Sequence, residues 1–247
     1  MPLSFFVKKF YTLDGAMDAP LPKISSAAAR YLPFAVFMAF IGLEQLLRFL
    51  MQRGLVAGND NLLLYLYPVK IALVVGILYT FRKQYREIRW QDLQQTPAVL
   101  LTVVAGLLVF LLWIGLAGLN SPATGGYNPY QAVPGLQMVL LVLRVLGAAV
   151  VVPIMEELFW RSFLIRYIDN HAFEQVPLGQ FSWPSFLITV VLFGVEHHLI
   201  IAGMVAGIFY NLVLYRTRSL AHCILAHAIT NGVLAVYVIK SARWELW

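Results

Sequence analysis

The chain has 247 residues, of which 60% are hydrophobic and 12% charged, and its mean hydropathy is +0.75. That excludes an ordinary soluble domain with a solvated, charge-covered surface. The formal net charge of +6 does not mark a nucleic-acid binder, because the Lys and Arg residues fall between hydrophobic runs instead of forming one basic stripe.

In chain order, an amino-terminal segment over residues 1–30 carries Lys8, Lys9, Lys23 and Arg30 and lacks the order of basic, apolar and small residues that marks a signal peptide. Apolar runs then cover 31–50, 62–81, 98–119 and 136–152, each close to the roughly 20 residues that cross a bilayer. Amino-terminal membrane helices therefore fill 31–152, and the lipid bilayer is the first partner. Arg82, Lys83, Arg86 and Arg89 follow the second run, whereas 120–134 is an uncharged loop rich in Gly, Pro and Asn. The positive-inside rule then puts the amino terminus and the 82–89 loop on the cytoplasmic side.

Further apolar stretches lie at 153–168, 184–195, 199–215 and 220–239, with a short tail at 240–247. The expected fold is an all-α, polytopic transmembrane bundle of about seven to eight helices. The count depends on whether 136–168 crosses once as a long bent helix or twice. Arg216 and Arg218 mark another cytoplasmic turn.

Ionisable residues inside spans cost roughly 2.5 to 3.5 kcal/mol on insertion scales, so each is a functional candidate. Glu156 and Glu157 interrupt the apolar stretch 151–166, with Arg161 one turn on. On a helix Glu157 and Arg161 share a face at i, i+4, while Glu156 points about 100° away. One carboxylate is then charge-paired and its neighbour free. Taken alone, the group also suits a helix end at the membrane surface, with the arginine reaching lipid phosphate.

Two more clusters change that balance. Phe193 and His197 lie one turn apart, with Glu196 and His198 expected to face elsewhere, and His227 and Asn231 share a face in an otherwise apolar segment. His222 and His198 suit interhelical hydrogen bonding. Glu44 and Arg48, at i, i+4 on the first span, are expected to pair with each other, and Lys70 and Arg144 to snorkel or meet a neighbouring carboxylate. No HExxH zinc helix and no GxSxG elbow occurs, and Cys223, the single cysteine, has no evident helper.

In their order and spacing these clusters resemble the CPBP family of membrane proteins, which includes type II CAAX prenyl endopeptidases and proteins of bacteriocin processing and immunity. The family pattern EExxxR, FxxxH, HxxxN or HxxxD is matched by Glu156-Glu157…Arg161, Phe193…His197 and His227…Asn231. The stretch 206–225 is similar to the family's linking segment. Glu196 before His197 and the compact length also resemble the exosortase-associated CAAX-protease-related subfamily. The likeness covers about 153–234, within a catalytic core taken as 153–239.

The resemblance implies an intramembrane endopeptidase of glutamate type, residing in a bacterial cytoplasmic (inner) membrane and acting on a membrane-associated polypeptide. By that likeness Glu156 with His197 activates a water, His227 with Asn231 donates to the oxyanion, Glu157 and Arg161 give electrostatic support, and Phe193 lines the substrate pocket. No cofactor is required in this scheme. Two alternatives stand beside it: a zinc-dependent membrane protease with Glu156, His197 and His227 as ligands, and a non-catalytic immunity or assembly partner or a transporter. The prenyl-cysteine specificity of some relatives is not implied by the shared motifs.

Overall fold

The computed structural model describes residues 25–117 and 126–247. The basic residues Lys8, Lys9 and Lys23 and the end of the expected 98–119 span lie outside the described residues, as do residues 120–125 of the uncharged loop. Among the described residues seven apolar helices follow one another: α1 Ser26–Gln52, α2 Asp60–Gln84, α3 Thr96–Ala117, α4 Gln137–Asp169, α5 Trp183–Val195, α6 Ile200–Thr217 and α7 Leu220–Ser241. Six are long and apolar enough to cross a membrane, and the 13-residue α5 is shorter. The chain is all-α, a polytopic helical bundle.

Local chemistry sets the helix ends. Ser25 Oγ accepts from Ala28 N (3.1 Å) to cap α1, and Ser182 Oγ accepts from Ser185 N (3.2 Å) to cap α5, where Pro184 occupies the first turn. α6 ends on Arg218 in the left-handed region, with φ 51°. Only Arg218 and Ser219 separate it from α7, which makes the two helices antiparallel neighbours.

Residues 136–168 form a single crossing. α4 is one helical run of 33 residues. It is widened into π geometry over Gly147–Val151 and Leu158–Leu164, on either side of the α-helical Val152–Glu157. Pro153 lacks the N–H that would bond within the helix, and a widened turn absorbs that loss without a break.

α7 is the centre of the bundle, packed most closely on α3, while α5 pairs with α6. A Cβ on Gly106 of α3 would stand 2.6 Å from Ala226 O of α7, so only glycine allows that approach. Outward residues such as Leu100, Leu111 and Leu187 are exposed hydrophobics, the surface a lipid solvent requires.

With seven alternating helices, the start of α1 and the end of α7 lie at opposite ends of the bundle. Arg30, Glu87, Ser162 and Arg166 meet at the first end, and Tyr130 and Trp244 touch at the other. At that second end the expected Glu44–Arg48 pair does not form. Glu44 instead takes Lys70 of α2 (2.9 Å), and Arg48 pairs with Asp60. A partner on the next helix removes a buried ammonium from isolation, which the intrahelical pair would have left stranded. Arg144 meets aromatic rings and no carboxylate within ion-pair distance. His222 behaves as expected, its ring between Thr102 Oγ1 (2.8 Å) and Asp92 O (3.2 Å), whereas His198 is exposed in the turn after α5.

Candidate active site

Between its two π segments α4 carries Glu156 and Glu157 into the bundle. Glu157 is fully buried at 0% exposure, and its Oε1 accepts from Arg161 Nη1 (3.1 Å) and from His227 Nδ1 of α7 (2.9 Å). Arg161 also donates from Nε to Asn211 Oδ1 (3.2 Å) and from Nη2 to Gly207 O (3.4 Å), both on α6. Asn211 Nδ2 in turn donates to Thr189 Oγ1 of α5 (3.0 Å). The guanidinium lies 4.5 Å from the Phe193 ring centroid and 5.3 Å from that of Tyr210, where cation–π attraction adds to the ion pair. One carboxylate and one guanidinium thus tie α4 to α5, α6 and α7.

Glu156 faces a different neighbourhood. Its Oε2 has no hydrogen-bond partner among the described residues, and it stands 4.0 Å from His227 Nε2. Since Glu157 takes the Nδ1 proton of His227, the neutral ring keeps its lone pair on Nε2. His197 has the same polarity. Its Nδ1 donates to Phe193 O at 2.6 Å, which leaves Nε2 as the acceptor. Trp113 packs edge-on against the His197 ring (5.4 Å), and Tyr210 stacks on His227 (4.8 Å).

Both histidines, Glu156, Glu196, Phe193 and Asn231 line one cavity of about 1000 Å³. Asn231 Nδ2 donates to Ala148 O (2.9 Å), inside the first π segment of α4. Phe193 is only 1% exposed, so it forms the floor beneath Arg161 and the two histidine rings more than an open wall.

The residues singled out in the sequence therefore converge, with one placement corrected. Glu196 does not face away from His197. α5 ends at Val195: Glu196 N still bonds to Leu192 O, but His197 N bonds to Gly194 O, so the chain turns and leaves helical phase from His197 on. Donor atoms of Glu156, Glu196 and His197 consequently lie within 4.8 Å of one another. Among the described residues this is the group placed to hold a metal ion, where the sequence pointed to Glu156, His197 and His227. Two carboxylates and an imidazole suit a divalent cation such as zinc, and the unpartnered Glu156 Oε2 and Glu196 Oε2 are oxygens such an ion would occupy.

Asn211 and Thr189 were not anticipated. The available signal was a lone Asn inside the apolar run 206–215, since a buried amide in a span needs a partner. Tyr210 and Trp113 gave no such signal, because aromatic residues in spans are common.

Residues 138–233 match the family model described as Rce1-like, type II CAAX prenyl endopeptidase Rce1-like. No curated protein and no solved structure matches the chain. The matched stretch starts on the second residue of α4 and ends within α7, so it contains Glu156, Glu157, Arg161, Phe193, His197, His227 and Asn231. The chain is an integral membrane protein that carries, over residues 138–233, a CAAX-protease-type domain of the CPBP family, and it is a membrane protease of that class.

Proposed function

We propose that the chain is a glutamate-type intramembrane endopeptidase that hydrolyses a peptide bond of a membrane-associated polypeptide. The observation that carries this reading is the buried Glu156 Oε2, without a partner among the described residues and 4.0 Å from His227 Nε2, on a side chain that lines the cavity. At hydrogen-bond lengths of about 2.8 Å, one water can touch both atoms at roughly a right angle.

Glu156 takes a proton as the water oxygen attacks the substrate carbonyl carbon, with the Nε2 lone pair of His197 holding the water in place. Negative charge then develops on the carbonyl oxygen. His227, having taken a solvent proton on Nε2 before the attack, presents Nε2–H to that oxygen and keeps the proton through the cycle while Glu157 balances the charge, and the second N–H of Asn231 completes the pair of donors. Collapse of the tetrahedral intermediate breaks the C–N bond, and the proton held by Glu156 passes to the leaving nitrogen.

Comparing membrane peptides from cells with the wild-type chain and with Glu156→Gln tests this. A cleaved product present only with the wild type is expected. Identical peptide profiles, or a cellular phenotype that survives Glu156→Gln and is lost on deletion, would point to an immunity or assembly partner or a transporter.

A second reading has its own observation, the proximity of Glu156, Glu196 and His197. These residues would hold a divalent cation, which when bound supplies Lewis-acid polarisation of the carbonyl and a more acidic water. Activity that withstands exhaustive chelation, with Glu196→Gln leaving most of it, favours the metal-free scheme. Stoichiometric metal lost in Glu196→Gln favours the other.

We place the chain in a bacterial cytoplasmic membrane with the α1 start on the cytoplasmic side, because Arg82, Lys83, Arg216 and Arg218 gather at that end. Reporter fusions to the two ends of the chain, read for compartment, check it.

A further inference from the structure

The cavity that holds the proposed chemistry does not end there. It extends between α1, α2 and α4, where Glu44, Arg48, Asp60, Lys70 and Arg144 also line it. Four of these charges cancel: Lys70 pairs with Glu44, and Arg48 with Asp60. Arg144 is left over. Among the described residues its Nε has no hydrogen-bond partner and no carboxylate reaches it. The guanidinium is held instead by aromatic faces, 4.7 Å from the Tyr67 centroid, 5.1 Å from Tyr127 and 5.3 Å from Trp247. Ring faces attract the cation without neutralising it as a carboxylate would, so the guanidinium keeps a charge that an anion can meet.

Helix phase explains why Arg144 reaches the same cavity as Glu156. Twelve residues of regular α-helix turn about 1200°, which would put the two side chains about 120° apart. The π segment Gly147–Val151 lies between them. Widening one turn by a residue reduces the effective separation to about eleven, or roughly 1100°, within about 20° of three full turns. At 1.5 Å per residue the two positions are roughly 17 Å apart along the axis. An extended peptide covers that distance in about five residues.

We propose that Arg144 anchors a carboxylate of the substrate peptide about five residues from the bond that Glu156 hydrolyses. This rests on the endopeptidase reading and gives it a specificity: the substrate is anionic at one position, and the aromatic sleeve of Tyr67, Tyr127 and Trp247 holds the guanidinium edge towards it. A planar fork suits a carboxylate in two-point contact better than an ammonium does.

The full-length protein is compared as wild type, Glu156→Gln, Arg144→Gln and Arg144→Lys at matched membrane abundance and unfolding midpoint. Products that depend on Glu156 are sequenced, and a synthetic peptide spanning the cut is assayed alongside versions with the acidic side chain changed to its amide or the terminal carboxylate amidated. The two versions separate a side-chain from a terminal carboxylate. Expected are products sharing a carboxylate four to six residues from the cut, and a loss of about tenfold or more in Arg144→Gln. Arg144→Lys recovers part of the activity. Neutralising the peptide costs the wild type the same factor and Arg144→Gln nothing further. Should Arg144→Gln fail to accumulate, the peptide series with the wild type still decides.

Wild-type product levels in Arg144→Gln, or no carboxylate in that window, overturn the anchor and leave the endopeptidase intact. Loss of a co-purifying anionic phospholipid from Arg144→Gln with unchanged peptide cleavage also overturns it, assigning the arginine to a headgroup. The absence of any Glu156-dependent product overturns both.

Discussion

Two buried polar clusters share α4 and differ in how completely they are satisfied. Around Ser162, Arg30 grips Glu87 with two bonds of 2.6 and 2.8 Å, Ser162 donates to the same carboxylate, and Arg166 donates to Ser162 O (2.5 Å) and Oγ (2.9 Å). Phe173 underlies both guanidiniums. Around Glu156, by contrast, Glu156, Glu157 and Glu196 each keep one oxygen without a partner, and the described residues supply a single cation, Arg161. Burial is common to both clusters. What separates a staple from a site is the unmet hydrogen-bonding demand.

The largest expected effect breaks the open cluster. Glu156→Gln is expected to lower peptide cleavage by about 10²–10⁴-fold, the usual worth of a general base, with no loss in the thermal unfolding midpoint in detergent. A stability loss on the scale of the closed cluster would make Glu156 a structural residue.

Next, Glu87→Ala strands Arg30 and is expected to cost about 3–5 kcal/mol of stability, read from denaturant unfolding in micelles. The double variant Arg30→Met, Glu87→Leu should lose far less, since replacing both partners leaves no unpaired charge. Asn211→Ala removes the acceptor of Arg161 Nε and is expected to cost about 1–3 kcal/mol. Because that contact aligns Glu157 and His227 only at one remove, cleavage should fall less than in Glu156→Gln.

The smallest effect is in pH. Burial pushes the Glu87 carboxyl up, but hydrogen bonds from Arg30 and Ser162 and the charge of Arg30 outweigh it and hold the group below its ordinary range. A lowered folded value means that the stabilisation is complete above the unfolded pKa of about 4.3. It is lost as pH falls through the folded value. Acid unfolding should therefore be shallower in Glu87→Gln, and an unchanged acid limb would show that this pair does not set it.

Hydropathy and length made the bundle legible, because lipid tolerates little besides apolar helices. Helical spacing also gave the Glu157–Arg161 pair and the shared face of His227 and Asn231, both of which line up as that periodicity requires. Wherever the geometry left the ideal helix, periodicity misled. Helical phase continued through His197 turns Glu196 away from it, whereas the chain leaves the helix at His197, and the π segments of α4 have no sequence signature beyond Pro153. The Glu44–Arg48 expectation failed differently: spacing reports neighbours along one helix and is silent about Lys70 on the next. Asn211, far in sequence from Arg161, was hidden for the same reason.

A bilayer divides water into two bodies, and the described lining of the cavity reaches towards one of them. Its lining includes Asn61, Asn128 and the segment from Trp244 to Trp247, all at the end where α4 begins and α7 finishes. None of Arg30, Glu87, Ser162 or Arg166 contributes to it, and their closed network lies at the basic end. Under the proposed chemistry, the hydrolytic water comes from the compartment opposite the basic turns, and a freed hydrophilic fragment departs into it. An inhibitor unable to cross the membrane would reach the site from that compartment alone.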